Sequence, residues 1–172
     1  MIDTPGHGKL RHLALENITN PQNLKGIIFL VDAAAGDGGL RQTADYLHDV
    51  LLLLQKRTPV VKKVLKEVAV LIAANKMDLF TALPARDVKN RLQAEITKIR
   101  TSRSRSLPDS GIGKGDGADN ENDDWLGEVG SKEFEFSQME EFDVTITVSG
   151  GNVVGESGPA VKEWWHWISE RL

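Results

Sequence analysis

The chain has 172 residues, of which 40% are hydrophobic and 27% charged, and its formal net charge at pH 7 is −4. This length and composition suit one soluble domain with a hydrophobic core. Since the sequence contains no cysteine, disulfides, zinc–thiolate sites and thiol catalysis are excluded. The negative charge gives no overall attraction to nucleic acid, and we expect no direct nucleic-acid partner. No apolar run approaches the roughly 20 residues of a transmembrane helix.

Three continuous apolar runs in the sequence predict β-strands. The runs are rich in β-branched and small apolar residues, and polar residues do not alternate with apolar ones in the first two. Continuous runs of this kind are typical of parallel strands that are covered on both faces. The predicted strands comprise residues 25–32, 68–74 and 143–148.

Helical periodicity follows each of these strands. Residues 40–57 and 84–100 carry apolar side chains at i, i+3 and i+4 spacing, and a last helix follows Gly158-Pro159. The alternation of strands and helices predicts an α/β fold with a mostly parallel sheet flanked by helices. The side chains expected on the buried helix faces are Leu47, Val50, Leu51 and Leu54, then Val88, Leu92, Ile96 and Ile99, and finally Val161, Trp164, Trp165 and Ile168.

One stretch, residues 102–132, does not fit this alternation. It is rich in Ser, Gly, Asp and Asn and poor in apolar residues, so we predict a disordered insertion within one domain that spans residues 1–172. Arg100, Arg103 and Arg105 would form the basic head of this insertion. A tolerated surface loop is the simpler interpretation, and a Ser/Arg phosphorylation or docking site is the alternative. After it, residues 133–136 alternate as a short edge strand would, with both Phe side chains facing the domain.

The motif Asn75-Lys76-Met77-Asp78 follows the second predicted strand directly. A carboxylate at Asp78 can accept two hydrogen bonds from the N1–H and the exocyclic amino group of guanine, a pair that adenine does not offer. Asn75 can brace the base or the neighbouring loops, and the stem of Lys76 can lie on a purine face. Open α/β sheets bind ligands at the carboxyl ends of their strands, which is where this motif stands.

A second motif, Asp3-Thr4-Pro5-Gly6-His7, opens the sequence after a short apolar stub. At a strand end, Asp3 would hold Mg²⁺ through water, and the backbone N–H of Gly6 would approach a terminal phosphate. His7 would orient an attacking water molecule. The simpler alternative is a Pro-Gly turn before a helix, with His7 merely exposed. The order and spacing of the two motifs favour the nucleotide site.

These motifs resemble those in the second half of the domain of the Ras-like GTPase superfamily. More closely, the sequence resembles the family of signal recognition particle receptor beta subunits, which are Arf/Sar-related GTPases of the endoplasmic reticulum. Besides the two motifs, the stretches that carry this resemblance are residues 9–11, 29–33, 92–103 and 132–138, together with the tryptophan-rich last helix.

The resemblance implies a guanine nucleotide switch that uses GTP or GDP and Mg²⁺. Its expected partner is the N-terminal domain of the receptor's alpha subunit, and through it, indirectly, the ribosome-bound signal recognition particle. Residues 3–17 would form part of the partner surface, with Arg11 and His12 as contacts. It further implies the cytoplasmic face of the endoplasmic reticulum membrane, with a membrane anchor in the full-length protein.

In the family, a loop that usually reads S-A-K follows the last strand and contacts the base. The matching place here reads Ser149-Gly150-Gly151, so Ser149 and Gly150 would contribute backbone N–H groups to the guanine carbonyl, while the lysine is absent. The phosphate-binding pattern G-x-x-x-x-G-K-[ST] occurs nowhere in the sequence. We therefore expect a Ras-like fold that lacks the first strand, the phosphate loop and the first switch, as in an N-terminally truncated chain. Nucleotide binding should then be weak or absent, and GTP hydrolysis is an open question.

Two alternatives remain beside the receptor switch. One is a non-enzymatic interaction module or a nucleotide-binding-deficient fragment that retains GTPase residues. The other is a fragment of a translational GTPase, since D-x-P-G-H also occurs in that class. Those proteins continue into large additional domains, whereas this sequence ends at its predicted last helix, residues 159–172.

Overall fold

A computed structural model describes residues 2–4, 6, 8–19, 24–57, 67–106, 125–156 and 158–171. Strands and helices alternate along the chain as the sequence predicts, with short 3-10 helices at Gly8–Leu10 and Phe136–Phe142. The elements are α1 (Arg11–Thr19), β1 (Gly26–Asp32), α2 (Gly36–Arg57), β2 (Val68–Asn75), α3 (Ala85–Ser106), β3 (Val144–Gly150) and α4 (Lys162–Ser169).

The three strands form one parallel sheet in the order β1-β2-β3. Asp32 lies beside Asn75 in the register of β1 with β2, and Ala74 lies beside Gly150 in the register of β2 with β3. The carboxyl ends of all three strands therefore meet at one edge of the sheet. This edge carries the residues that the sequence points to.

The hydrophobic core lies between the sheet and helices α2 and α3. Every residue of β2 from Val68 to Ala74 is buried, which confirms that this strand is covered on both faces. On the second face, Trp164 and Trp167 of α4 pack against β2. The predicted helix faces of α2 and α3 are confirmed for Leu47, Val50, Leu51, Leu54, Val88, Leu92 and Ile96, which are all buried, while Ile99 is partly buried.

The prediction that β1 is covered on both faces is wrong. Phe29 and Val31 are buried, but Ile28 and Leu30 are 42% and 57% exposed. The apolar cluster that Trp164 and Trp167 of α4 form on this face contains Ala69, Leu71 and Ala73 of β2 and no residue of β1. The burial predicted for the last helix also needs a correction: Trp165 is 64% exposed, and Trp167, one turn from Trp164, is buried in its place.

The structure describes both ends of the segment predicted as an insertion. Helix α3 continues to Ser106. In its last turns, Arg103 forms ion pairs with Asp45 and Asp49 of α2 at 2.8 and 2.7 Å. At the other end, Leu126 is fully buried. Residues 107–124 lie outside the described residues, and their predicted disorder stays a prediction.

Arg100, predicted to be part of the basic head of a surface insertion, is instead only 2% exposed. Its guanidinium donates to the carbonyls of Leu126 and Ser131 at 3.1 and 2.7 Å and stacks on the ring of Trp125. Gln55 holds the same segment through the N–H of Gly127. Arg100 is therefore a structural anchor.

The edge strand predicted at residues 133–136 does not form. Phe134 and Phe136 are both buried, as expected, but Phe136 opens a 3-10 helix. The N–H groups of Phe134 and Phe136 bind the side chains of Thr97 and Gln93 on α3, so a helix and not a strand satisfies them. Within the residues that the structure describes, no helix has the length and apolar character needed to cross a membrane.

Candidate functional site

Two loops at the carboxyl edge of the sheet form the candidate site. We call residues 76–80, which follow β2, the β2 loop, and residues 151–156, which follow β3, the β3 loop. Backbone hydrogen bonds join them, since the N–H of Met77 donates to Gly151 O at 3.1 Å and the N–H of Gly151 donates to Ala74 O at 2.9 Å. The sheet register thus brings together two loops that are far apart in sequence.

Asn75 braces both loops, as the sequence analysis suggested. Its Oδ1 accepts the N–H of Lys76 at 2.8 Å and the N–H of Val153 at 3.1 Å. A side-chain amide at the end of the central strand is well placed for this role, because each loop leaves its strand with unpaired N–H groups.

Lys76 has a positive φ of 68°, an uncommon conformation for a residue with a side chain. Its Nζ lies 2.6 Å from Oδ2 of Asp32, the last residue of β1. The hydrogen bond from Lys76 holds the pKa of the Asp32 carboxyl below its ordinary value, and the N–H of Ala34 lowers it further, against the opposing effect of burial. The ion pair fixes the lysine stem across the ends of β1 and β2.

Asp78 is exposed in the β2 loop, and no described residue donates a hydrogen bond to its carboxylate. Gly155 of the β3 loop lies directly beside it: a methyl group at Gly155 would stand 3.3 and 3.4 Å from Cβ and Cγ of Asp78. A braced, unpaired carboxylate at a strand end is suited to accept two N–H groups from a ligand.

The glycines after β3 explain the departure from S-A-K. A Cβ at Gly151, the lysine position, would stand 2.5 Å from the carbonyl oxygen of Ala160 and 2.8 Å from the ring of Trp164. Gly150 likewise leaves room for Met77, whose Cγ would lie 3.3 Å from a Cβ there. Trp164 of α4 therefore occupies the space that the first atom of a side chain at residue 151 would need.

Ser149 lies within β3, opposite Ala73, and not in the loop. Its hydroxyl donates to Glu163 at 2.6 Å, and its carbonyl accepts the indole N–H of Trp164 at 3.3 Å. Both groups are thus directed to α4. The assignment of Ser149 and Gly150 as base contacts through backbone N–H groups stays a prediction.

The opening motif is not joined to these loops in the structure. Asp3 and Gly6 are exposed, and none of the described hydrogen bonds connects either residue with the β2 or β3 loop. Residues 2–4 form no strand, although the sequence analysis placed Asp3 at a strand end. Pro5 and His7 lie outside the described residues, so the catalytic role suggested for His7 stays a prediction. Among the described residues, no three His, Asp or Glu side chains converge on a metal position.

Arg11, a suggested partner contact, packs against α2, and its role as a contact stays a prediction. Its guanidinium lies over the ring of Tyr46 in α2, 4.5 Å from the centroid, while His12 is exposed. The exposed surface of this segment also includes Leu10 and Leu13, each 40% exposed.

Sequence reasoning missed Asp32, Asn152 and Gly155. The signal for Asp32 was available, since it ends the first predicted strand as Asn75 ends the second. Asn152 and Gly155 carry no local signal of their own in a loop rich in glycine. Their importance depends on the contact between the β2 and β3 loops.

A parallel sheet with helices on both faces and Asn-Lys-x-Asp at the end of its central strand defines this chain as a member of the Ras-like GTPase class. A sequence model described as "Signal recognition particle receptor beta subunit" matches residues 1–144. The chain belongs to the family of signal recognition particle receptor beta subunits.

Relatives and solved structures agree with this family. The chain is 30% identical over 175 residues to the signal recognition particle receptor subunit beta of Saccharomyces cerevisiae, with 100% of this chain and 66% of the relative covered. It is 33% identical to the human subunit over 144 residues, with 81% of this chain and 45% of the relative covered. The chain thus spans less than two thirds of the length of either relative.

Among solved structures, SRb-GDP-Mg of the signal recognition particle receptor from Chaetomium thermophilum aligns with a TM-score of 0.83 at 45% identity, covering 99% of this chain and 78% of that one. The SRb-GTP/SRX complex from the same organism aligns with a TM-score of 0.83 at 44% identity, covering 99% and 66%.

Proposed function

We propose that this chain is the base-reading part of a guanine nucleotide switch of the signal recognition particle receptor. The observation that carries the proposal is the carboxylate of Asp78, which is exposed and accepts no hydrogen bond from any described residue, in a loop that is braced through Asn75 and Val153. Two N–H groups on one edge of guanine match the two carboxylate oxygens. Adenine lacks this pair and would leave the carboxylate without partners, so the site would reject adenine.

The relatives support the nucleotide. The Chaetomium thermophilum structures hold GDP with Mg and GTP at 45% and 44% identity. In this chain, Asn75 and Lys76 would hold the loops and cover the purine face, while Gly150 and the backbone of Ser149 would approach the guanine carbonyl. Asp3 would hold Mg²⁺ through water, Gly6 would approach the terminal phosphate, and His7 would orient water for hydrolysis.

The expected partner is the N-terminal domain of the receptor's alpha subunit. The SRb-GTP/SRX complex of the relative supports this partner class. In this chain, exposed Leu10, Leu13 and His12, next to the Asp3–Gly6 motif, would supply the contacts. The full receptor would act at the cytoplasmic face of the endoplasmic reticulum membrane, with its contact to the ribosome-bound signal recognition particle made through the alpha subunit.

A second function, a non-enzymatic interaction module, is favoured by one observation. The sequence contains no G-x-x-x-x-G-K-[ST] loop, which in P-loop proteins supplies backbone N–H groups and a lysine to the phosphates. We therefore expect this polypeptide to bind GDP weakly, through the base and not through the phosphates.

Titration calorimetry of the purified chain with GDP, GTP and ADP in Mg²⁺ tests the proposal. We expect weak GDP binding, weaker or absent ADP binding, and at least about a tenfold loss of GDP affinity in Asp78→Asn, because a charged acceptor is removed. Asp87→Asn, which changes an exposed carboxylate outside the two loops, is the matched control. Equal binding of GDP and ADP would refute base reading, and a complete lack of nucleotide binding would favour the interaction module.

A further inference from the structure

A buried amide organises the β3 loop. Asn152 is 8% exposed, and its Nδ2 donates to Gly158 O at 3.0 Å. Its backbone exchanges two hydrogen bonds with Ala160, at 3.3 and 2.8 Å, so that the loop closes on itself before α4 begins. A buried polar side chain with satisfied hydrogen bonds fixes a single loop conformation.

Gly155 lies close to both this amide and the side chain of Asp78. A Cβ at Gly155 would stand 2.9 Å from Nδ2 of Asn152 and 3.3 Å from Cβ of Asp78. Its φ is outside the left-handed region, so the position requires glycine for space and not for backbone conformation. The Asp78 side chain therefore packs on bare backbone whose position is held by Asn152.

We propose that Gly155 and Asn152 are positioning residues that set the Asp78 carboxylate for the exocyclic amino group of the base. This inference rests on the proposed guanine site and adds the cause of its selectivity. Pairing with two N–H groups requires the carboxylate to stay within about 0.5 Å of its place. A methyl group at Gly155 would stand too close to Nδ2 of Asn152 and tightly against Asp78. Because the amide is held by its hydrogen bond to Gly158 O, we expect the Asp78 side chain to move.

The selectivity that depends on this placement is guanine over hypoxanthine. Inosine monophosphate lacks only the exocyclic amino group of guanosine monophosphate, so it loses one of the two bonds to Asp78. We expect the chain to prefer guanosine monophosphate by about tenfold, as for one charge-assisted hydrogen bond. Monophosphates are suitable probes because they report on the base and need no phosphate loop.

The test is a titration of the ¹⁵N-labelled full chain with guanosine, inosine and adenosine monophosphates, followed by amide chemical shifts. Gly155→Ala should lower the guanosine-to-inosine affinity ratio to near one while inosine affinity changes little. Loss of structure alone would weaken both ligands and leave their ratio unchanged. Gly38→Ala, at an exposed helical glycine with no atom within 4 Å of the added methyl, is the matched control and should keep the wild-type ratio.

Each outcome decides the matter. If Gly155→Ala keeps the wild-type ratio, the positioning role is wrong and the proposed function stands. If the wild-type chain fails to distinguish guanosine from adenosine monophosphate, the proposed function is wrong and the inference is wrong with it. If Gly155→Ala does not fold, Asn152→Ala decides, because it frees the loop without adding an atom: a lowered ratio supports the inference, and an unchanged ratio overturns it.

Discussion

The two nucleotide motifs of this chain have very different surroundings. Around Asn75 to Asp78, two loops are joined by side-chain and backbone hydrogen bonds at the edge of the sheet. Asp3 and Gly6, in contrast, are exposed, with no described hydrogen bond to either loop. The difference teaches that the sheet itself organises the β2 and β3 loops, whereas no described contact of the sheet holds the opening motif.

The largest effect is expected from disturbing the junction of the two loops. Gly151→Ala places a methyl group 2.5 Å from the carbonyl oxygen of Ala160 and 2.8 Å from Trp164. We expect the free energy of unfolding to fall by about 3 kcal/mol, the upper part of the range for overpacking. Urea unfolding followed by tryptophan fluorescence measures it.

Gly6→Ala is the corresponding change in the opening motif, and no atom lies within 4 Å of its added methyl group. It should leave the free energy of unfolding within about 0.5 kcal/mol of wild type. Equal losses in the two variants would erase the contrast between the two motifs.

A smaller effect is expected from removing the brace. Asn75→Ala deprives the N–H groups of Lys76 and Val153 of their acceptor. Because both residues are exposed enough for water to replace it in part, we expect a loss of about 1 kcal/mol. Hydrogen exchange at the Val153 amide should accelerate, which urea unfolding alone would not reveal. Asn90→Ala, on the exposed face of α3, is the control, and unchanged exchange at Val153 would contradict the bracing role.

The smallest effect concerns the ion pair between Lys76 and Asp32. The pKa of Asp32 is lowered in the folded chain, so its contribution to stability is present above the unfolded value near pH 4 and is lost as the pH falls through the lower folded value. Lys76→Met should therefore cost less than about 1 kcal/mol at pH 7, since both side chains are more than a third exposed.

At pH 2.5 the difference between Lys76→Met and wild type should shrink, as measured by urea unfolding at the two pH values. Lys89→Met, at an exposed position of α3 that forms no ion pair with a described residue, is the matched control and should show no such change with pH. A difference that stays constant with pH would argue against the ion pair.

The central strand and the two long helices could be predicted because almost all residues on the expected faces are buried, with Ile99 partly buried. Because β2 is buried on both faces, its sequence is an uninterrupted apolar run, and such a run predicts a strand in the centre of the sheet. The bracing role of Asn75 was also predictable, because the end of a central strand faces both neighbouring loops.

The predictions that were wrong concern residues whose burial depends on which element packs against them. Ile28 and Leu30 look like core residues in sequence, but they are exposed and do not belong to the apolar cluster formed by α4. Trp165 and Trp167 are equally apolar, and only the direction of α4 decides which is buried. Arg100 looks like a surface charge, yet it binds carbonyl groups about 30 residues further along the chain. The role of Gly155 was equally unpredictable, because the residue beside it, Asp78, is remote in sequence.

The most direct test of base reading reverses the hydrogen-bond pattern of the ligand. Xanthosine monophosphate carries a carbonyl oxygen where guanosine monophosphate carries the amino group, and the amide created by Asp78→Asn can donate to that oxygen. Nuclear magnetic resonance titration of wild type and Asp78→Asn with both nucleotides should show a preference for guanosine monophosphate in the first and for xanthosine monophosphate in the second. The same preference in both proteins would contradict the assignment of Asp78 as the residue that reads the base.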